Sequence, residues 1–190
     1  MINMQNLILT NYGSITDCKN NITWSSAQIS EKVNKFIKEM IALGFKEKNN
    51  VFLKHSKLPD FFCQILAIWS LGGSVSCLNP KVTEIELNNL ISFMSPKFII
   101  DQNKIESLDS FNKESLEDPK PGFSIDQPAL ILFTSGTTGT PKAVVHSFRS
   151  ILSRVSLNAK YIDVNNLENT LCLLPMHFGH GLIGNSLTPF

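Results

Sequence analysis

The sequence predicts an α/β fold, in which a mainly parallel β-sheet is flanked by helices. Short apolar runs with the length of strands alternate along the chain with segments whose apolar residues recur at helical intervals. Turn-forming residues separate these runs. The order strand, helix, strand, helix, strand is typical of a parallel sheet with right-handed crossovers.

We predict a first α/β unit at about residues 20–101. Ser25 and Gln28 have capping-box spacing at the start of its first helix, and Gly44 ends that helix. Its second helix has so little polar surface that it must be buried. The predicted elements are helices from Ser25 to Gly44, Phe61 to Leu71 and Thr83 to Ser95, and strands Val51–Lys54, Val75–Leu78 and Lys97–Ile100.

Residues 102–127 are polar and end in several prolines, so we predict a linker there. A second unit then occupies residues 128–190. It is predicted to contain a hairpin, in which a polar loop joins a strand at Ala129–Phe133 to a second strand at Ala143–Val145, then a helix from Ser147 to Tyr161 and a strand at Thr170–Leu174.

The polar loop has the composition of an anion-binding site. Two glycines allow positive φ and close approach of the backbone to a ligand, so that successive amides can surround an anion. Hydroxyl groups and one lysine add donors, and a hydrogen bond to a charged group contributes roughly 1.5–3 kcal/mol. The loop reads Thr134, Ser135, Gly136, Thr137, Thr138, Gly139, Thr140, Pro141 and Lys142.

This loop is not the GxxxxGK[ST] phosphate loop. Counted from Gly136, the second glycine of that motif would fall at Pro141, and Lys142 is followed by Ala143. An ordinary polar turn between two strands is the simpler alternative, but a hairpin turn needs far fewer loop-forming residues.

The loop strongly resembles the nucleotide loop of the adenylate-forming superfamily, T-S-G-T-T-G-x-P-K-G. The match runs from Thr134 through Lys142, and Ala143 replaces the final glycine. Thr23-Trp24, Gly72-Gly73 and Asn79-Pro80 also fall where the family places such residues, so the resemblance covers most of residues 20–190. It implies that the chain is the N-terminal part of the large domain of such an enzyme.

The resemblance also implies a reaction. In the family, a carboxylate attacks ATP to give an acyl-adenylate, and a thiol, often that of coenzyme A, then takes the acyl group. The stretch from Thr134 to Lys142 would hold the ATP phosphates, with Lys142 in a catalytic role. Mg²⁺ would accompany ATP, although the family's glutamate ligand for it has no counterpart in this chain.

The segment Pro175–Leu182 resembles the family's P-[LM]-[FYH]-[HF]-x-x-G, which lies against the acyl-substrate pocket. The family's histidine usually stands where Phe178 stands here; His177 is one place earlier and His180 matches a second histidine of some members. His177 is assigned a catalytic role, and His177, Phe178 and His180 form the expected substrate pocket. A purely structural role for these side chains stays open, and no third ligand suggests a metal site.

The predicted substrate is a simple carboxylic acid. Family members that activate α-amino acids usually carry an aspartate in this segment, to pair with the substrate's ammonium. No carboxylate occurs in Pro175–Leu182, and an unpaired buried ammonium is costly.

Composition excludes other classes of function. The net charge is +1 over 190 residues, which favours neither nucleic acid nor a membrane surface as a partner. No apolar run is long enough to span a bilayer, and the first residues lack the pattern of a signal peptide. The cysteines show no metal-binding spacing, and Cys63, Cys77 and Cys172 lie in apolar segments, so we expect buried thiols and a cytoplasmic location.

Several features of the family are missing, including its magnesium-binding glutamate and the C-terminal domain with its catalytic lysine. We therefore expect a fragment that is inactive alone, with exposed apolar surface that favours self-association. The alternatives are a truncated paralogue without catalysis and a stand-alone nucleotide- or anion-binding module.

Overall fold

The computed structural model describes residues 13–54, 59–102, 104–108, 123–134 and 142–189. In chain order the elements are strands β1 (Ile15–Asp17) and β2 (Ile22–Trp24), helix α1 (Ser26–Ala42), β3 (Asn50–Lys54), α2 (Asp60–Ser70), β4 (Ser74–Leu78), α3 (Glu84–Met94), β5 (Phe98–Asp101), β6 (Lys104–Ser107), β7 (Pro128–Thr134), β8 (Lys142–Ser147) and α4 (Phe148–Tyr161). A short 3₁₀ helix at Val164–Leu167 and a π-helix at His180–Leu187 follow.

The main sheet has six strands in the order β6-β5-β3-β4-β7-β8. Strands β5, β3, β4 and β7 are parallel, and the two outer strands are antiparallel to their neighbours. The predicted α/β class with a mainly parallel sheet is therefore confirmed. Strands from both predicted units share this sheet, and the boundaries of the units stay a prediction.

The helix boundaries follow the local signals in the sequence. Both capping boxes form, at Ser25 with Gln28 and at Thr83 with Glu86. Gly44 and Gly72 follow the last turns of α1 and α2 with φ of +82° and +73°. In each case the glycine and the next residue donate back to the helix, so both helices end in Schellman motifs.

Two apolar layers cover the faces of the sheet. On one face, α2 is buried along nearly its whole length, and α1 packs on α2 through Ile29, Val33, Phe36 and Met40. On the other face, α3 contributes Leu90 to a smaller cluster around Phe52. The two crossovers, β3-α2-β4 and β4-α3-β5, thus lie on opposite faces of the sheet.

The structure differs from the sequence prediction in several regions. β6 lies inside the predicted polar linker; its side chains are mostly exposed, so it carries no apolar signal. β1 and β2, which the sequence analysis did not predict, form a separate hairpin. The predicted strand at Thr170–Leu174 is wrong, because this segment is irregular and no described strand pairs with it.

The base of the β7-β8 hairpin is fixed by buried hydrogen bonds. Trp69 Nε1 on α2 donates to the Ala129 carbonyl at 2.8 Å, and Gln127 Nε2 donates to the Gly72 carbonyl at 2.7 Å. Arg149, at the start of α4, also forms a bidentate pair with Asp126, at 2.6 and 3.0 Å. The hydrogen bond from Arg149 lowers the pKa of the Asp126 carboxyl.

The cysteines are free thiols in different surroundings. Cys63 and Cys77 are buried, Cys172 is half-buried and Cys18 is exposed. Burial, together with the nearby Asp60 charge, raises the pKa of Cys63 to about 12, and burial alone raises the pKa of Cys77. Cys172 is thus less buried than the sequence predicted.

Replacing Trp69 with phenylalanine keeps most of the apolar contact but leaves the buried Ala129 carbonyl without its donor. We expect Trp69→Phe to lower the free energy of unfolding by about 1–3 kcal/mol, measured by urea denaturation followed by far-UV circular dichroism. Trp24→Phe is the control, since Trp24 is half-buried and has the Lys32 ammonium over its ring at 3.8 Å. A loss no larger in Trp69→Phe than in the control would contradict this role.

Cys18 is expected to react fastest with an aromatic disulfide reagent at pH 8, because a thiol with a raised pKa stays protonated there. Cys18→Ser should remove the fast phase, and denaturant should release Cys63 and Cys77. In Cys18→Ser, Cys172 is the single thiol that is not buried. A fast phase in this variant that corresponds to more than one thiol per chain would show that the buried thiols are accessible and would contradict the prediction.

Candidate functional site

The carboxyl ends of the parallel strands form the edge at which open α/β sheets bind ligands. β4 and β7 are neighbours, and the chain leaves them in opposite directions. From β4 it crosses through α3 to β5, towards one end of the strand order. From β7 it turns into β8, which is at the other end of the strand order. The loop between β7 and β8 therefore begins at the edge where a crevice is expected.

The two ends of the predicted phosphate loop are paired. Thr134, the last residue of β7, lies opposite Lys142, the first residue of β8, and both are exposed. Residues directly opposite each other in an antiparallel pair point to the same face. The hairpin thus presents the Thr134 hydroxyl and the Lys142 ammonium on one face. The remaining loop residues named in the sequence analysis, Ser135, Gly136, Thr137, Thr138 and Gly139 with Thr140 and Pro141, lie outside the described residues.

The histidine-bearing segment lies against the same hairpin. A Cβ placed on Gly179 would lie 3.0 Å from Leu132 Cδ1, so this segment packs directly on β7. Leu132 is two residues before Thr134, and alternate residues of a strand share a face about 7 Å apart. The structure therefore places the segment on the face to which Thr134 and Lys142 point.

The segment itself is a tight turn. Phe178 N donates to the Pro175 carbonyl at 3.1 Å, and Met176 is buried. A Cβ on Gly181 would lie 2.5 Å from the Pro175 oxygen and 2.8 Å from the Leu174 oxygen, so only glycine fits there. The two close approaches, at Gly179 and Gly181, were missed in the sequence analysis, although the Gly-x-Gly spacing was their signal.

The three predicted pocket residues are neighbours in this turn. The rings of His177 and Phe178 are in contact, with centroids 4.3 Å apart. Phe178 is half-exposed and His180 is exposed. An exposed aromatic ring beside imidazole groups can receive a partly apolar ligand that carries a hydrogen-bonding group.

A π-helix, which the sequence analysis did not predict, begins inside this segment at His180 and runs to Leu187. Ser186 Oγ donates to the Gly181 carbonyl at 2.9 Å, and Thr188 N donates to the Ile183 carbonyl at 3.1 Å. Asn158 on α4 donates to Thr188 Oγ1 at 3.1 Å. The Asn158 bond thus joins the end of the π-helix to α4.

A cleft of about 470 Å³ opens at the same sheet edge near β3 and β5. Lys54 and Asp101, both in its lining, form an ion pair at 2.8 Å. It contains none of the predicted site residues. No group of three or more histidine, cysteine or acidic side chains suited to a metal is found in the described part of the chain.

The fold and the paired hairpin define an α/β protein of the class formed by the N-terminal domains of adenylate-forming enzymes. The family model described as "AMP-binding enzyme" matches residues 9–190, and the chain belongs to that family.

The curated relatives include malonate–CoA ligase of Arabidopsis thaliana, 35% identical over 94 residues, which are 50% of this chain and 15% of the relative. They also include 2-succinylbenzoate–CoA ligase of Bacillus pumilus, 24% identical over 84% of this chain and 35% of the relative. The chain thus spans about a third or less of the length of these ligases.

Among solved structures, ATP-bound MatB from Rhodopseudomonas palustris aligns with a TM-score of 0.74 and 20% identity, over 98% of this chain and 42% of that one. This likeness supports the fold. In the described part of the chain, no helix combines the length and apolar character that a membrane crossing requires.

The strict need for glycine at position 181 can be tested. We expect Gly181→Ala to lower the melting temperature and to shift the imidazole NMR signals of His177, because the turn must open to admit the methyl group. Gly184→Ala is the matched control, since its Cβ would come no closer than 3.5 Å to a neighbouring atom, on His180. Equal effects of the two changes would contradict the close approach.

Proposed function

We propose that this chain is the phosphate-holding part of an ATP-dependent ligase that activates a carboxylic acid for transfer to a thiol. The observation that carries the proposal is the pairing of Thr134 with Lys142 at the binding edge of the sheet, on the face where the His177 segment packs. Membership of the AMP-binding family and relatives named as CoA ligases support it.

The reaction has two steps. A carboxylate oxygen of the substrate attacks the α-phosphorus of ATP, and the bond to the bridging oxygen breaks, so that pyrophosphate leaves and an acyl-adenylate remains. The sulfur of a thiol then attacks the acyl carbon, and AMP departs as the thioester forms. Catalysis of the first step depends on alignment and on stabilising charge.

The hairpin residues are assigned to the phosphates. Lys142 is a point charge for the β- and γ-phosphates and for the departing pyrophosphate, and Thr134 adds a hydroxyl. We propose that the glycines and hydroxyls from Ser135 to Gly139 complete the cradle. The well-fixed base of the hairpin supports this role, since the buried bonds at Trp69 and Gln127 hold its strands in place.

The turn at Pro175–Leu182 is proposed to bind the carboxylic acid substrate. Phe178 gives an exposed apolar wall, and the exposed His180 offers a donor to the carboxylate or to the developing charge. His177 is proposed as a second donor, and both of its ring nitrogens are buried in this structure. No acidic side chain occurs in Pro175–Leu182, so we propose a simple carboxylic acid rather than an α-amino acid. Coenzyme A is the proposed acceptor, because the relatives named above are CoA ligases.

Mg²⁺ is proposed to accompany the ATP phosphates, where it would neutralise part of their charge. The described residues supply no cluster of acidic groups to hold it, and no step is assigned to a metal ligand of this chain. The free thiols favour a reducing, cytoplasmic location. Because the ligase relatives are far longer, we also propose that these 190 residues alone do not catalyse adenylation.

Lys142→Ala should weaken ATP binding to this chain about tenfold or more, because one hydrogen bond to a charged group is lost. Isothermal titration calorimetry with ATP and Mg²⁺ measures the change. Lys160→Ala is the matched control, because Lys160 is an exposed lysine in the last turn of α4. Equal affinities for the wild type and Lys142→Ala would remove Lys142 from the phosphate site.

Carboxylate-dependent exchange of labelled pyrophosphate into ATP separates binding from catalysis. We expect ATP binding without exchange by this chain. In a whole ligase that contains this segment, Lys142→Ala should slow adenylation more than it weakens carboxylate binding. Exchange catalysed by the 190-residue chain would contradict the proposed division, and failure to bind ATP at all would contradict the phosphate cradle.

A further inference from the structure

The turn that carries Phe178 and His180 is closed at its two ends. A Cβ on Gly181 would lie 2.8 Å from the Leu174 oxygen and 2.5 Å from the Pro175 oxygen, so the chain returns at Gly181 to the point that it left at Pro175. We call this contact between Leu174, Pro175 and Gly181 the neck of the turn. Loops whose ends meet in this way are compact and packed by their own side chains. The neck therefore determines where the residues between its ends lie.

Two polar side chains lie at the neck. Cys172 Sγ is 3.4 Å from the Leu174 carbonyl oxygen and 3.7 Å from that of Gly181. Ser186 Oγ is 2.9 Å from the same Gly181 oxygen and 3.5 Å from Cys172 Sγ. The thiol and the hydroxyl each have one proton to donate. Both protons are used across the neck when Ser186 donates to Gly181 and Cys172 donates to Leu174.

Cys172 and Ser186 also join the turn to the chain on either side of it. Leu171 and Leu173 are 62% and 79% exposed, whereas Cys172 between them is half-buried and packs against the main core. No described strand pairs with this segment, so Cys172 anchors it at the neck. Ser186 belongs to the π-helix, whose end the Asn158 bond joins to α4. The neck is thus anchored on both sides.

We propose that Cys172 and Ser186 are positioning residues for the carboxylic acid substrate, which act through the neck and not by touching the substrate. By holding the neck closed, they fix the distance of the Phe178 ring and the His180 imidazole from the face that presents Lys142. The role in substrate binding rests on the proposed function, whereas the hydrogen bonds at the neck do not depend on it.

NMR spectroscopy of this chain tests the positioning role without any substrate. Ser186→Ala removes one donor at the neck, so we expect the imidazole signals of His177 and the ring signals of Phe178 to move. Ser186→Thr keeps a hydroxyl and should restore most of the wild-type positions. Ser70→Ala is the matched control, because Ser70 Oγ donates to a backbone carbonyl at 2.8 Å at the end of α2, near the opposite edge of the sheet. Shifts in Ser186→Ala no larger than those in Ser70→Ala, or no restoration in Ser186→Thr, would overturn the proposal.

A double-mutant cycle tests whether the two side chains act together. Cys172→Ala should move the same signals of His177 and Phe178. The shifts in the double variant with Ser186→Ala should fall short of the sum of the two single changes, because residues in one hydrogen-bonded network are coupled. Cys18→Ala is the control for the loss of a thiol, since Cys18 is exposed. Additive shifts, or a Cys172→Ala variant that resembles Cys18→Ala, would overturn the joint role.

Steady-state kinetics of a whole ligase that contains this segment tests the link to the substrate. We expect Ser186→Ala to raise the KM for the acid about threefold or more, with kcat and the KM for ATP changed less than about twofold, because only the positioning of the acid is lost. A purely structural defect would lower the amount of active enzyme, and so kcat, without changing either KM. Shifted NMR signals with an unchanged KM for the acid would contradict the assignment of this turn to the acid, whereas unshifted signals would contradict positioning by the neck.

Discussion

The position of the β7-β8 hairpin depends on two buried hydrogen bonds at its base. Trp69 donates to the carbonyl of Ala129, and Gln127 donates to that of Gly72. Both bonds join the C-terminal end of the deeply buried α2, or the turn that follows it, to the start of β7 or the residue before it. Unpaired polar groups at such a depth cost the full penalty of desolvation, so the start of β7 has one favourable position.

Because the base of the β7-β8 hairpin is fixed, the pairing of its strands determines where the opposite end of the hairpin lies. β7 pairs with β4 from Leu130 to Leu132 and with β8 along its length. Its last residue, Thr134, therefore emerges at the carboxyl edge of the sheet opposite Lys142. The turn carrying His177 reaches the same face because Gly179 has no side chain and can pack on Leu132. Packing thus brings together two segments that are more than thirty residues apart.

The elements that the sequence predicted well carry strong local signals. Capping boxes at Ser25 and Thr83, glycines at positive φ after α1 and α2, and the wholly apolar α2 are each determined by interactions within a few residues. The elements it missed depend on distant partners. β6 is a strand because β5 offers it a ladder, and the apolar segment at Thr170–Leu174 is not one because no described strand lies beside it.

The sequence by itself determined the fold class and the family resemblance, because these depend on residue type and order; on the same basis it predicts phosphate binding by the stretch from Thr134 to Lys142. Only the tertiary structure decided which faces and edges these residues share. The contact between Gly179 and Leu132 and the need for glycine at position 181 arise from the packing of distant segments. A local pattern such as Gly-x-Gly indicates where a close approach can occur, but it does not identify the partner, because each contact depends on the shape of its partner as much as on its own residues.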